Sequence, residues 1–306
     1  MSNFSNPFVS VIIPVFNDSK RLKTCLEALE KQTYPKNLYE VIVVDNGSDE
    51  IIEKVVGQFK QAFASYESQP GSYAARNKGI SLAKGKVIAF TDSDCIPAQN
   101  WLEIGVKHLL SVPNCGLIGG EIEIFFKDPS HPTAIELYDS VVFLQQKRLI
   151  EEEKYGATAN VLTFKNIFED VGLFNDRLKS GGDKEWGQRV FARGYLLVYA
   201  VDSKVKHPAR NSLEQIYAKA TRISGGIYEL DKLYNKNSTN SLPTQLMKTL
   251  FVDLRPPLRS AFHKFYLDKR LKNKQQKTQA FTVALIVHYF KCFEKIRIQL
   301  GGSSRR

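Results

Sequence analysis

Between about residues 8 and 124, short apolar runs rich in β-branched residues alternate with amphipathic segments of helix length. Such alternation is typical of βαβ units, in which parallel strands form a sheet and the connecting helices cover it. The runs at 11–13 and 41–44 are apolar at every position, as expected of strands that helices cover on both faces. The sequence therefore predicts a doubly wound α/β layer with strands at 9–15, 41–44, 87–91 and 117–124.

Helix signals connect these strands and continue beyond them. An apolar face recurs at Leu22, Cys25, Leu26 and Leu29, and Pro35 follows it, so a helix is predicted between the first two strands. Downstream we predict a helix from about 165 to a turn at 172, a charged loop at 179–186, a second helix reaching 194, and a strand at 196–201. A capping box at 212–215 begins a helix that the glycines at 225–226 interrupt or end, 235–241 reads as a linker, and the prolines at 256–257 break the helical remainder.

Charge is concentrated at one end of the chain. The 306 residues, 43% of them hydrophobic, suffice for one large or two small domains. Residues 255–306 contain 13 Lys and Arg against two acids, which accounts for the whole net charge of +11. A nucleic-acid-binding protein usually carries its basic residues on the recognition fold itself, so we expect no nucleic-acid partner. The basic segment instead predicts contact with a partner or with an anionic membrane surface.

Several other classes are excluded. The four cysteines lie far apart and form no CxxC pair, and the polar N-terminus predicts no secretory signal, so we expect no disulfide scaffold, no structural zinc site and a cytoplasmic location. The longest apolar run, 280–290, is much shorter than the about 20 residues of a membrane-spanning helix. Neither a Walker motif nor a GxGxxG motif fits, which weakens kinase, ATPase and dinucleotide-binding interpretations.

Two carboxylates follow the predicted strand at 87–91, which runs directly into Asp92-Ser93-Asp94. Residues two apart in an extended backbone point to the same side, so Asp92 and Asp94 should share a face at the carboxyl end of a strand, where open α/β sheets bind ligands. Such a pair suits a hard divalent cation, which also takes phosphate oxygens. A polar strand exit or helix cap is the alternative at this point.

Polar segments follow the other predicted strands in a recognisable order. With 9–17, 43–49, 71–79 and 89–97 considered together, residues 8–207 resemble the family 2 glycosyltransferases with a GT-A fold, a Rossmann-like and mostly parallel central sheet with helices on both faces. The resemblance implies that Asp45 binds the uracil edge of a UDP-sugar and that Arg76 lies near the nucleotide. It also implies a nucleoside cradle after the first strand, at Pro14, Phe16 and Asn17. Asn46 departs from the pattern, since many relatives have a second acid there.

The same resemblance assigns the acid pair and its neighbours. Asp92, Ser93 and Asp94 match the DxD motif, with Asp94 on Mn²⁺ or Mg²⁺ and Asp92 toward the ribose. His207 matches a histidine that supplies a further metal contact in some relatives, although a capped or surface histidine is the ordinary alternative. These residues are the predicted donor and cation site.

The segment 180–186 resembles the acidic acceptor-side motif of the family, whose first acid, here Asp183, acts as general base. An inverting transfer needs a carboxylate to take the proton of the acceptor hydroxyl. The alternative is that Asp183 and Glu185 are first-turn acids favoured by a helix dipole. The resemblance places three more residues on the acceptor side, Gly120, Asn160 and Trp186, the last of which is as consistent with a core position.

We therefore expect an inverting, metal-dependent glycosyltransferase that moves a hexose from a UDP-sugar to a glycan or lipid-linked glycan acceptor, in polysaccharide or glycan-chain synthesis. The alternatives are a nucleotide-sugar-binding protein without turnover and a sugar nucleotidyltransferase, although 17–21 lacks the glycine-rich loop of the latter. The expected domains are a catalytic domain at 1–210, with a nucleotide-sugar-binding half at 1–124 and an acceptor-binding half at 125–210, and a helical basic region at 211–306. Through 255–306 we expect peripheral contact with the inner face of the membrane.

Overall fold

A computed structural model describes residues 6–234, 246–247 and 249–303 of the chain. It divides into two compact units. The first contains Met1–Glu123, Leu144–Arg177 and Gly182–His207, and the second contains Ile124–Phe143, Leu178–Gly181 and Pro208–Arg306. The linker predicted at 235–241 lies outside the described residues.

The described strands form one sheet in the order β3-β2-β1-β4-β7-β6-β8-β5. Their bounds are β1 Val9–Val15, β2 Tyr39–Asp45, β3 Ala62–Tyr66, β4 Val87–Phe90, β5 Ile96–Pro97, β6 Cys115–Phe125, β7 Val161–Phe164 and β8 Leu196–Pro208. Strands β3, β2, β1 and β4 are parallel neighbours, while β7 runs antiparallel to both β4 and β6. The predicted parallel α/β layer is confirmed, and β8 continues seven residues beyond the strand predicted at 196–201.

Helices of the first unit connect these strands. They are α1 Ser19–Glu30, α2 Ile52–Val56, α3 Ser72–Leu82, α4 Trp101–Ser111, α6 Gln146–Glu151, α7 Asn166–Val171 and α8 Gly182–Ala192. The apolar face predicted for α1 is buried as expected. Helix α3 packs tightly on the sheet at Gly79, where a Cβ atom would lie 2.4 Å from a methyl carbon of Ile12. The loop predicted at 179–186 is wrong over its second half, because α8 already begins at Gly182.

The second unit is helical and has its own core. Its described helices are α5 Ala134–Val142, α9 Leu213–Tyr234, α10 Leu258–Tyr266 and α11 Lys274–Gln299, with a π-helical turn at Thr249–Asp253. Buried side chains from all four α-helices form one cluster, which includes Leu137, Val141, Ile216, Phe265, Val283 and Val287. Helix α10 begins directly after the two prolines, as predicted.

The break predicted at 225–226 is wrong, because α9 continues through both glycines to Tyr234. Gly226 is needed for packing: a Cβ atom there would meet the backbone oxygen of Ser180 at 2.6 Å. A glycine inside a helix costs about 1 kcal/mol relative to alanine, and the close approach explains why the helix carries it. Among the described helices, none is both long enough and apolar enough to cross a membrane.

Candidate functional site

The loops after β1 and β2 hold each other at one edge of the sheet. Asn17 adopts a left-handed backbone with φ 49°, a conformation that asparagine tolerates better than most residues. Its backbone N–H donates to Ser48 Oγ at 2.8 Å, and its side-chain oxygen accepts from the Asp49 N–H at 2.7 Å. Asp45, the last residue of β2, accepts from the Ser48 N–H at 3.0 Å. Beside this junction Pro14 lies near the end of β1 and the Phe16 ring is half exposed. The predicted cradle residues are therefore neighbours.

Asn46 is buried and organises the turn that leads to α3. Its side-chain nitrogen donates to the carbonyls of Glu67 and Gln69, at 3.0 and 2.7 Å, and its oxygen accepts from the Gly71 N–H at 2.6 Å. A carboxylate could accept but could not donate to the two carbonyls. The departure from the family pattern at this position thus has a local structural reason.

Strand β4 ends at Phe90, and the acid pair follows it as the sequence indicated. Oδ1 of Asp94 lies 3.6 Å from Nε2 of His207 and 4.0 Å from Sγ of Cys95. One ligand atom from each of Asp92, Asp94, Cys95 and His207 lies within 4.8 Å of the others. The structure brings the three predicted metal residues together and adds Cys95, whose only sequence signal is its position next to Asp94.

An ion pair and a hydroxyl support this group from the α1 side. Arg21 reaches Oδ2 of Asp94 at 3.4 Å and Oδ1 of Asp18 at 2.7 Å. Ser93 Oγ donates to the other oxygen of Asp18 at 3.1 Å. Burial raises the pKa of Asp18, and the Arg21 contact opposes that rise. Sequence reasoning did not identify Asp18 and Arg21, because a charged pair at a helix start is common on protein surfaces.

Arg76 reaches the same edge from α3. Its Nη2 donates to Asp92 Oδ1 at 2.6 Å, and its guanidinium lies over the Tyr73 ring, 5.7 Å from the ring centre. Arg76 is 4% exposed, and among the described residues its Nε has no hydrogen-bond partner. The buried hydroxyl of Thr91, directly before Asp92, likewise lacks a partner in the described part of the chain. Two buried polar atoms near the end of β4 are therefore unsatisfied, although buried polar groups in proteins normally have hydrogen-bond partners.

Asp183 occupies the first turn of α8 and is half-buried. Its Oδ1 accepts from the Tyr73 hydroxyl at 3.3 Å and from the Lys184 N–H at 3.0 Å. Burial raises the pKa of Asp183, and the nearby positive charge of Arg76 acts in the opposite direction. Burial also raises the pKa of Tyr73, which therefore remains a neutral hydroxyl donor. A carboxylate in such surroundings is a stronger base than an exposed one.

The other predicted acceptor-side residues have structural roles. Asn160 is fully buried and joins Trp101 to the carbonyls of Glu121 and Ser203. A Cβ atom on Gly120 would lie 2.1 Å from the Ser203 oxygen, so this glycine permits close packing.

Glu185 and Trp186 are also tied into the first unit. Glu185 forms a two-pronged ion pair with Arg189, at 2.7 and 2.9 Å. The Trp186 ring is 1% exposed and stacks on Phe168 with ring centres 4.8 Å apart. A sugar-stacking platform needs an accessible ring face, so we assign Trp186 to the core.

Comparisons with known proteins identify the family of the chain. Residues 10–172 match the family model "Glycosyl transferase family 2". The chain is 42% identical over 235 residues to glycosyltransferase AglE of Haloferax volcanii, covering 74% of this chain and 76% of that protein. It is 30% identical over 200 residues to glycosyltransferase GlyG of Streptococcus pneumoniae, covering 62% of this chain and 65% of that protein.

A solved structure has a similar fold. The mannosyltransferase PcManGT from Pyrobaculum calidifontis, in complex with GDP-Man and Mn²⁺, superposes with a TM-score of 0.62 at 17% identity. The superposition covers 95% of this chain and 88% of that one. The predicted fold class therefore has a counterpart of known structure.

Proposed function

The chain belongs to glycosyl transferase family 2 and is a transferase enzyme, and from this premise we propose that it moves a hexose from a UDP-sugar to an acceptor hydroxyl with inversion at the sugar carbon. The observation that carries this proposal is that the guanidinium of one arginine interacts with the acids of both predicted sites. Arg76 donates to Asp92 and also acts on the pKa of Asp183. With a divalent cation bound, Asp92 and Asp94 suit a charged diphosphate, whereas Asp183 suits proton removal.

The residues at the end of β4 fit a divalent cation, Mn²⁺ or Mg²⁺. Asp92 and Asp94 offer hard carboxylate oxygens, and His207 offers an imidazole nitrogen 3.6 Å from Asp94. When bound, such a cation offsets the negative charge that develops on a departing diphosphate. Arg21 holds the second oxygen of Asp94, and Arg76 orients Asp92 while bringing positive charge next to the nucleotide. The Mn²⁺ and GDP-Man of the structurally similar mannosyltransferase support a cation and a nucleotide-sugar donor here.

The nucleoside would lie along the interlocked loops after β1 and β2. We assign Asp45 to the uracil edge, because a carboxylate accepts the N–H of that base, and Pro14, Phe16 and Asn17 to the surrounding cradle. Ser93 is held between the two aspartates by its bond to Asp18. The unsatisfied Arg76 Nε and Thr91 hydroxyl are available to donor oxygens at this edge.

Asp183 acts as general base in the proposed reaction. It accepts the proton of the acceptor hydroxyl while the hydroxyl oxygen bonds to the sugar carbon, and the bond from that carbon to the diphosphate oxygen breaks with its electron pair leaving on the diphosphate. The raised pKa of Asp183 strengthens it as a base, and the Tyr73 hydroxyl orients it. The ordinary alternative, a helix-capping acid, would not require a neutral tyrosine on the same oxygen.

We further propose that residues 1–210 contain the catalytic machinery and that the acceptor is a glycan or lipid-linked glycan.

We also propose that the enzyme contacts an anionic membrane through residues 255–306. In this segment Phe262 and Leu267 are 54% and 64% exposed, and they alternate in sequence with the exposed basic residues Lys264 and Lys269. Apolar side chains flanked by basic ones are typical of peripheral membrane surfaces.

Release of the nucleoside diphosphate tests the proposal. The purified protein is incubated with several UDP-sugars and with GDP-mannose, with Mn²⁺, Mg²⁺ or EDTA. We expect cation-dependent UDP release that increases with an added glycan acceptor. Release from GDP-mannose alone would overturn the UDP assignment, and binding without release would favour the nucleotide-sugar-binding alternative.

A further inference from the structure

Cys95 directly follows the acid pair and has no role in the proposed reaction. Its side chain is fully buried, and its Sγ lies 4.0 Å from Oδ1 of Asp94. That same oxygen faces Nε2 of His207 at 3.6 Å, while Arg21 occupies the other oxygen of Asp94. The inner oxygen of Asp94 is thus directed toward a thiol and an imidazole.

The spacing of these atoms resembles that of a tetrahedral metal site. Zinc bonds of about 2.3 Å to sulfur and about 2.0 Å to nitrogen and oxygen imply separations of about 3.5 Å between sulfur and oxygen and about 3.3 Å between nitrogen and oxygen at tetrahedral angles. The observed separations are 4.0 and 3.6 Å, so contractions of about 0.5 and about 0.3 Å bring these two pairs of atoms to the tetrahedral separations. Asp92 completes a set of four donors within 4.8 Å of one another.

We propose that Cys95 is a fourth protein ligand of the cation site, through which thiophilic ions such as Zn²⁺ and Cd²⁺ bind in place of Mn²⁺ or Mg²⁺. This inference rests on the proposed function for the location of the cation. Hard cations such as Mn²⁺ and Mg²⁺ bind the oxygen ligands and do not coordinate the thiol, whereas Zn²⁺ and Cd²⁺ coordinate sulfur readily. The thiol proton passes to solvent as the bond from sulfur to metal forms.

The consequence is inhibition by zinc. Four protein ligands fill a tetrahedral ion and leave no position for the diphosphate of the donor, as in structural rather than catalytic zinc sites. Cys95 therefore limits turnover to hard cations, since only these leave positions open for phosphate oxygens when they are bound.

The test is a Cd²⁺ titration of the full chain, followed by the ultraviolet charge-transfer absorption that a thiolate bound to Cd²⁺ produces. We expect this band to saturate at one equivalent in the wild type and to be absent in Cys95→Ser. Two matched variants remove other thiols. Cys25→Ser removes a buried thiol that contacts the Asp92 carbonyl at 3.7 Å, and Cys292→Ser removes a thiol 3.6 Å from His288 Nε2. Both should keep the band.

A second measurement guards against misfolding of Cys95→Ser. His207→Gln retains every thiol, so it should keep the band. Its affinity for Cd²⁺ should fall by about 10-fold to 100-fold or more, because the loss of even a hydrogen-bond partner of a metal ligand has an effect of that size. Zn²⁺ should compete with Mn²⁺ in the wild type, in Cys25→Ser and in Cys292→Ser.

Each outcome is decisive. A band that persists in Cys95→Ser and disappears in Cys292→Ser would overturn the inference, and so would the absence of any band in a wild type that releases UDP with Mn²⁺. In the second case the proposed function stands. A Cys95-dependent band without UDP release from any donor would leave the ligand assignment intact and remove the proposed function.

Discussion

Arg76 donates from Nη2 to Oδ1 of Asp92 across 2.6 Å, although the two residues come from a helix and from the end of a strand. The arginine is buried, and its charge also opposes the rise in the pKa of Asp183. One side chain thus couples the acids of the proposed donor site to the proposed general base.

Replacing Arg76 should change the pH dependence of the reaction. In Arg76→Gln the positive charge that lowers the pKa of Asp183 is lost, so that pKa rises further. A base works only when deprotonated, so the acidic limb of kcat/KM against pH should move to higher pH. Arg21→Gln, which contacts Asp94 and Asp18, should leave the position of that limb unchanged. If the acidic limb of Arg76→Gln is not shifted, the protonation of Asp183 does not control kcat/KM.

Asp183→Asn retains the shape of the side chain and removes the proton acceptor. We expect kcat to fall by about 10²-fold or more, with donor binding unchanged. Steady-state kinetics with calorimetric measurement of UDP affinity check this expectation. An unchanged kcat with altered UDP affinity would move Asp183 to the donor side.

Asp94→Ala should abolish cation-dependent turnover and leave the fold intact. Asp94 is at a strand exit, with its side chain 21% exposed, so its loss creates no cavity in the core. Thermal unfolding should therefore be close to that of the wild type while Mn²⁺ no longer stimulates UDP release. Wild-type activity in this variant would contradict the metal assignment.

Asn46→Asp should destabilise the protein although it introduces the acid that many relatives have. The two carbonyls that now accept from the Asn46 amide would face a carboxylate without a donor. An unsatisfied buried polar group costs about 1–3 kcal/mol, and the free energy of unfolding in urea should fall by an amount in this range. Asp49→Asn, at an exposed position of the neighbouring loop, is the matched control. Equal stability of both variants would refute the role of Asn46 in the turn.

Vesicle sedimentation tests the proposed membrane contact. The full chain should pellet with anionic vesicles but not with neutral ones at low salt, since each basic residue near an anionic surface contributes about 1 kcal/mol. Truncation before residue 255 is unsuitable, because Phe265 and Val283 belong to the core of the second unit.

Point variants replace the truncation. Phe262→Ser with Lys269→Glu should reduce pelleting, whereas Lys54→Glu, an equal charge change at an exposed site of the first unit, should not. Recovery of the wild-type chain in the supernatant with anionic vesicles would end the membrane proposal.

Much of the framework is readable from the residues alone. The first strand has the predicted bounds, and the apolar face of α1 is the predicted one, because strand and helix periodicities are local properties of the chain. The order of the motifs after successive strands also pointed to the family, since parallel strands bring their carboxyl ends to one edge.

Only the tertiary structure decided which side chains meet. Cys95 lies close to His207, Arg76 donates a hydrogen bond to Asp92, and Trp186 is buried in the core. Nothing in the local sequence of these residues distinguishes their roles. The continuation of α9 through Gly226 is of the same kind, because the neighbour that requires a glycine there is Ser180, distant in the sequence. Local propensity reflects the few residues on either side of a position, whereas a site and a close packing contact depend on groups that folding brings together from distant parts of the chain.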